Sequence, residues 1–296
     1  MRITLLLIVM CLITIAFPQE KTFVLTSVYN GSQLKMLGTN YLIIPIKSKK
    51  IKKIKIGIID VGITKHPNLN IINLSNSWSK EIGHGSIVSA IIGAKPTKTN
   101  KYKGLIPGIQ MYSYNLEENF TAEKLINGIK AMLKKDVDVI SLSVSTKKYN
   151  QELKDTIEYA ISQNIVFVAS AGNSGLEQEL YPASYKIPGI ISVGSLDNHY
   201  NISSYSTFNK NIDLFFPGED ILSIGEGENQ ISSYSGSSVA VPFITSIVAL
   251  TKAMYPNLPS SEITKYLYEH TETYMAHWKN TDRLVRILEL DQLFKE

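Results

Sequence analysis

Four polar side chains, each set among glycines or small residues, have the types needed to break an acyl bond. They are Asp60 in "IIDVGI", His84 in "GHGSIVSAIIGA", Asn173 in "VASAGNSG" and Ser238 in "SYSGSSVAVP". A serine attacks a carbonyl, an imidazole takes its proton, a carboxylate orients the imidazole and stabilises its charged form, and amide donors hold the oxyanion. Each residue also has a plain structural reading. Asp60 suits a turn or a cap, His84 a surface position before a helix, and Asn173 a left-handed turn between Ala-Gly and Ser-Gly. A Ser/Gly cluster before an apolar run, as in residues 231–242, ordinarily marks a turn and an N-cap. Only the set of four, in this order, points to chemistry.

Residues so far apart need a rigid frame. "IKIGIID" (54–60), "IQMYSYNL" (109–116), "VDVISLSVS" (137–145), "NIVFVASAGN" (164–173) and "GIISVGSLD" (189–197) are short, nearly continuous apolar runs. Such runs suit strands buried on both faces of a parallel sheet. Between them, residues 122–136 and 151–164 carry the spacing of amphipathic helices. The alternation predicts an α/β fold, a three-layer open and mostly parallel sheet with helices on both faces. Function in such sheets gathers at the carboxyl ends of the strands. Asp60 and Asn173 sit at two of those ends, and His84 and Ser238 at the mouths of helices.

With those residues in place, the chain resembles the subtilisin-like serine peptidases, the subtilase family. "DVGI" is similar to the family's aspartate motif, "GHGSIVSAII" to its histidine motif, "VFVASAGNSG" to its oxyanion-asparagine motif and "SGSSVAVP" to its serine motif. The likeness runs from about Ile54 to Leu290. It implies Asp60 as orienting acid, His84 as general base, Ser238 as nucleophile and Asn173 as oxyanion donor, with Ser232, Ser233, Ser235 and Ser237 as framework. It implies a substrate-binding edge at Ser143, Val144 and Ser145, and pocket walls from Ala171, Gly172 and Leu180. It further implies a peptidase acting on polypeptides without a cofactor. An esterase of the α/β-hydrolase type would place its serine before the acid and histidine, on a Gly-x-Ser-x-Gly elbow, and Ser238 comes last.

The sequence departs from the family in places. Val61 stands where Ser or Thr is usual, Ser237 and Val239 replace Thr and Met, and Ser145 replaces a glycine on the substrate edge. Val61 and Ser145 lend some support to a second reading, a weakly active or inactive binding protein on the same scaffold. With Leu180 and Ser145 crowding it, the primary pocket is expected to take short or medium apolar side chains. Glu177 or Glu179 selecting Lys or Arg is the competing idea. Many subtilases are stabilised by calcium. Here Asn68 stands where relatives often place an aspartate ligand, and the loop 93–104 holds four lysines and no acid. A hard cation wants several oxygens, with anionic ones for tight binding, so no tight calcium site is expected there.

The remaining features bound the setting. The 296 residues fit one large domain, and 44% hydrophobic content, 19% charged content and a net charge of +4 are those of an ordinary globular chain. Basic residues are scattered apart from "KSKKIKKIK" (47–55), with no aromatic-interleaved stripe, so nucleic acid is not an expected partner. Residues 1–17 read as a signal peptide: Arg2, then an apolar run from Ile3 to Phe17, then a polar break. As a helix that run spans roughly 22 Å, short of a ~30 Å hydrocarbon core. Secretion or periplasmic export is therefore expected, a membrane anchor being the lesser alternative and no membrane insertion remaining after cleavage. Cys11 is the single cysteine and lies in this segment, so the mature chain has no thiol nucleophile. Residues 18–53 form a short pre-region with two strand-like runs and an exposed Lys-rich linker, and residues 54–296 the catalytic domain, expected to be a monomer.

Overall fold

The structure of the protein, a computed structural model, describes residues 23–25, 42–44 and 48–294. The expected signal peptide, 1–17, lies outside the described residues. In chain order the N-terminal elements are β1 (Phe23–Leu25), β2 (Leu42–Ile44) and a one-turn helix α1 (Ser48–Ile51). The first two pair antiparallel. Then follow β3 (Ile56–Val61), β4 (Ile71–Asn73), α2 (His84–Gly93), β5 (Met111–Leu116), α3 (Ala122–Leu133), β6 (Val139–Leu142), α4 (Gln151–Ser162), β7 (Val166–Ser170) and β8 (Ile190–Leu196). The chain continues through β9 (Leu214–Pro217), β10 (Ile221–Ile224), β11 (Ile231–Tyr234), α5 (Ser237–Met254), α6 (Ser260–Glu269), β12 (Thr271–Trp278), β13 (Thr281–Leu288) and α7 (Leu290–Leu293).

Seven strands form one parallel sheet in the order β4-β5-β3-β6-β7-β8-β9. The apolar runs explain it. In β3, Ile56 and Ile58 face one core and Ile59 the other; in β7, Val166 and Val168 oppose Phe167 and Ala169 in the same way. A strand with both faces apolar must be covered twice, and it is. Helices α2, α5 and α6 contribute to the first core, and α3 and α4 to the second. The chain runs to β4 and β5 on one side of β3, and to β6 through β9 on the other. The reversal opens a crevice at the carboxyl end of β3, where Asp60 lies.

Helix α5 is the centre of the larger core. Its 18 residues are long and apolar enough to cross a membrane, and 94% of them are buried inside the fold. Pro242 within it has no N–H to give, which leaves the Ser238 carbonyl without its helical donor. The Ser143 hydroxyl, just past the end of β6, donates to that carbonyl at 3.0 Å. The first turn of α5 is thereby tied to a strand end.

The basic run is not all linker. Lys50, Lys52 and Lys53 are exposed, while Ile51 between them is buried in the first core along with Ile54. Two elements that the apolar runs did not announce complete the molecule: the pair β10–β11, which packs beside α2, and the long hairpin β12–β13, which packs on β9.

Candidate active site

Asp60 is the next-to-last residue of β3 and is fully buried. Two glycines let His84 reach it. Gly62, at φ +70°, turns the chain away from the strand, and a Cβ on Gly83 would stand 2.5 Å from the Gly62 Cα. Only backbone against backbone permits that approach. His84 then opens α2, and its Nδ1 meets Asp60 Oδ1 at 2.7 Å. The same oxygen accepts the Val61 amide at 2.7 Å. Asp60 Oδ2 is buried with no hydrogen-bond partner, and the adjacent residue is the Val61 that lacks a hydroxyl.

The charge of Asp60 pushes the His84 pKa up, against the opposing effect of burial. An imidazole acts as a base only when neutral. The rising limb of kcat/KM with pH is therefore expected above the ordinary histidine value of 6.5. Asp60→Asn should move that limb down as well as lower the rate, and a pH–rate series on both proteins checks the sign.

Ser238 lies in the first turn of α5 and is 7% exposed. Asn173 follows β7 on a loop. It is not left-handed; the positive φ falls on Gly172 at +95°. Its Oδ1 accepts from the Ser237 amide at 2.9 Å and from the Ser237 hydroxyl at 2.8 Å. A backbone N–H can only donate, so this bond fixes which end of the amide is oxygen. The Nδ2 end is then directed away from Ser237. A Cβ on Gly236 would lie 2.9 Å from Asn173 Nδ2 and 3.0 Å from Ser238 Oγ, so both atoms border one small space that glycine leaves open. Ser170 Oγ, at the end of β7, bonds Ser237 Oγ at 2.7 Å.

The four residues singled out by type thus converge on one end of the sheet. Among the described residues no hydrogen bond joins His84 to Ser238, an interval that catalytic pairs commonly close only with substrate bound. The Ser238 amide, in the unsatisfied first turn of a helix, has no acceptor there either. The arrangement offers a hydroxyl, a base backed by a buried carboxylate, and two amide donors.

The other expected residues lie nearby. Ser143 and Val144 are buried and Ser145 half-buried at the end of β6. Leu180 is buried, and a Cβ on Gly172 would meet Leu180 Cδ1 at 2.4 Å, Thr207 Oγ1 at 3.1 Å and Ser145 Oγ at 3.3 Å. Thr207 is an addition; it is fully buried and its hydroxyl accepts the Ser174 amide at 3.1 Å. Only the Ser/Thr-rich run "SSYSTF" hinted at it. Glu177 and Glu179 are exposed and engaged elsewhere, with Arg283 at 3.0 Å and with the Tyr181 hydroxyl at 2.9 Å. Ser237, expected to be framework, is the residue that orients Asn173.

Asn68 is fully buried beneath the lysine-bearing loop. Its Nδ2 donates to the carbonyls of Lys95 at 2.7 Å and Asn100 at 3.2 Å. A neutral amide therefore satisfies oxygens that would otherwise be drawn to a cation. No group of three or more His, Cys, Asp or Glu suited to a metal occurs among the described residues. EGTA is expected to leave the Tm of the protein unchanged. Asn68→Asp turns a carboxylate on two carbonyl oxygens, so its Tm should fall in EGTA and recover in millimolar calcium.

The sequence profile of the Subtilase family matches residues 51–286. The chain belongs to the subtilase family. Subtilisin DY of Bacillus licheniformis is 29% identical over 228 residues, covering 72% of this chain and 82% of that protein. A thermostable alkaline protease of Halalkalibacterium halodurans is 27% identical over 231 residues, covering 75% of this chain. The match spans 63% of that protease's own length. A crystal structure of a cold adapted subtilisin-like serine proteinase superposes with a TM-score of 0.67 at 21% identity, over 79% of this chain and 88% of the other. The subtilase fold is thus shared, and the relatives support a serine peptidase.

Proposed function

We propose that this subtilase is a secreted serine endopeptidase acting through Ser238. The observation that carries the reading is the orientation of Asn173, whose oxygen is held by Ser237 so that its amide nitrogen borders the Ser238 hydroxyl. In this reading Ser238 Oγ adds to the scissile carbonyl while His84 Nε2 takes its proton. Buried Asp60 stabilises the imidazolium. The oxyanion accepts from Asn173 Nδ2 and the Ser238 amide, both preorganised before reaction. Collapse expels the amine, which takes the proton from His84, and leaves an acyl-serine. Water, deprotonated by His84, then releases the acid by the same path.

A fluorophosphonate probe tests this directly. Covalent labelling at Ser238, lost when the protein is heat-unfolded first, is the expected result. A folded protein that resists the probe would instead be a binding protein on this scaffold, the reading that Val61 and Ser145 favour. Secretion rests on the leader-like residues 1–17, and a mature N-terminus near Phe17, read by mass spectrometry of the exported protein, checks it.

The substrate backbone pairs along Ser143–Ser145, and its side chain before the cut enters the space between Ser145, Gly172 and Leu180. Leu180 Cδ1 against Gly172 leaves that space shallow. Peptides with Ala, Leu or Met before the cut are expected to exceed those with Phe or Lys in kcat/KM. Because a methylene in such a pocket is worth about 1–3 kcal/mol, Leu180→Gly should raise the rate for Phe roughly tenfold or more. A peptide series on both proteins decides it.

A further inference from the structure

The candidate active site uses the carboxyl end of the sheet. At the amino end, the run that leads into β3 is bonded to the turn that leads into β6. The Lys55 amide donates to Asp138 Oδ2 at 2.8 Å, the Asp138 amide to the Lys55 carbonyl at 2.8 Å, and Lys55 Nζ to the Lys135 carbonyl at 2.9 Å. These bonds bring two basic stretches of the chain, 50–55 and 130–135, to one end of the molecule. Lys50, Lys52, Lys53, Lys130, Lys134 and Lys135 are all exposed there.

Little in these stretches opposes that charge. Asp138 is used internally, accepting the Lys55 amide and lying within electrostatic reach of the buried Lys252 ammonium. Asp136 is the one exposed acid in 48–55 and 130–138. Asn70, Gln110, Gln163 and Asn164, on the approaches to β4, β5 and β7, are uncharged. Lys52 shares a groove with Asn70 and Gln110. A second groove holds Lys134 and Tyr159, and Tyr159, on α4, is 59% exposed. Lysines beside an exposed tyrosine suit the boundary of a bilayer, where ammonium groups meet phosphates and an aromatic ring sits at headgroup level. The chain also joins the fold here. Residues 18–47 connect α1 to the apolar run Ile3–Phe17, so the end that follows the leader-like segment is the basic one.

We propose that the amino end of the sheet is a docking surface for an anionic lipid bilayer, in which Lys50, Lys52, Lys53, Lys134 and Lys135 meet lipid phosphates and Tyr159 enters the headgroup layer. Asp60 and Ser238, at the opposite end of the sheet, then face away from the bilayer and stay open to solution. The surface shares no residue with the candidate active site, so docking is independent of the peptidase reading.

Co-sedimentation of the full chain with lipid vesicles tests it. Vesicles of phosphatidylcholine and phosphatidylglycerol, in a two-to-one ratio, should bind the protein at least a hundredfold tighter than phosphatidylcholine alone at low salt. The difference should vanish near 1 M salt, where the Debye length is about 3 Å. Each lysine at such a surface is worth roughly fivefold. Changing Lys52, Lys53, Lys134 and Lys135 together to Gln should therefore remove at least about fiftyfold of the affinity for the mixed vesicles, with Tm unchanged. The same four changed to Arg should bind as the parent does. A matched variant with Lys80, Lys147, Lys148 and Lys279 changed to Gln, all exposed near the carboxyl end, should also bind as the parent does. Tyr159→Ser should weaken vesicle binding about threefold or more and leave binding of soluble polyphosphate unchanged. Equal losses from the two sets of four lysines overturn the surface, as does parent binding that is equally tight to phosphatidylcholine alone. Polyphosphate bound as tightly as the mixed vesicles, with no effect of Tyr159→Ser on either, overturns the bilayer as its partner.

Discussion

Ser238→Ala is expected to lower kcat by about 10⁴–10⁶ with a Tm close to that of the parent. The two halves of this result come from different atoms of one residue. The Ser238 hydroxyl makes no hydrogen bond among the described residues, whereas its carbonyl accepts the Ser143 hydroxyl at 3.0 Å. Alanine keeps the carbonyl, adds no volume and is the best helix former. The helix therefore starts where it did, with the proposed nucleophile gone. In the proposed mechanism Asp60, His84 and Ser238 act as a unit, so losing one member forfeits nearly all of their contribution. Peptide hydrolysis within tenfold of the parent would place the nucleophile elsewhere.

Asn173→Ala should cost about 10²–10³ in kcat with little change in KM, the magnitude known for the oxyanion amide of subtilisin itself. The variant also takes an acceptor from the Ser237 amide and hydroxyl, so a drop in Tm is expected beside the rate loss. Asn173→Asp separates the two effects. Its carboxylate still accepts from Ser237, which protects the start of α5, but it offers no donor to the oxyanion and adds a negative charge beside it. The aspartate variant should therefore be at least as slow as the alanine variant and more stable. An aspartate variant as active as the parent would mean that Asn173 only anchors the helix.

The sheet was legible because its strands are buried twice over. Runs such as "NIVFVAS" leave no polar face, and that is the mark of a strand between two helical layers. The four candidate residues could be singled out because glycines and small residues surround each of them. What escaped notice depends on contacts between distant residues. The hairpin β12–β13 carries Tyr274, Met275 and Leu284 exposed, which breaks the alternation that would have announced it. The pairing of Glu177 with Arg283 joins residues 106 positions apart, and nothing local to either predicts it. Val61 illustrates a middle case. Its lack of a hydroxyl was plain from the sequence, but only the fold reveals that Asp60 Oδ2 is then left buried and unpartnered. Asn68 is similar: the missing acid could be read, the amide donating to two carbonyls could not.

Ser238 rides on the helix that fills the larger core, and this links folding to reactivity. Most of a protein can open locally while the rest stays intact, and active-site loops are commonly drawn from the less stable parts. The first turn of α5 has no such freedom, because it is bonded to the ends of both β6 and β7 and its body is buried. A molecule with a misplaced Ser238 is one whose main core has come apart. Partly opened molecules that survive a heat step should therefore be either fully reactive or inert, and the fraction titrated by an active-site probe becomes a count of native molecules. The same tie bears on self-digestion: a molecule opened as far as its main core can be cut but can no longer cut.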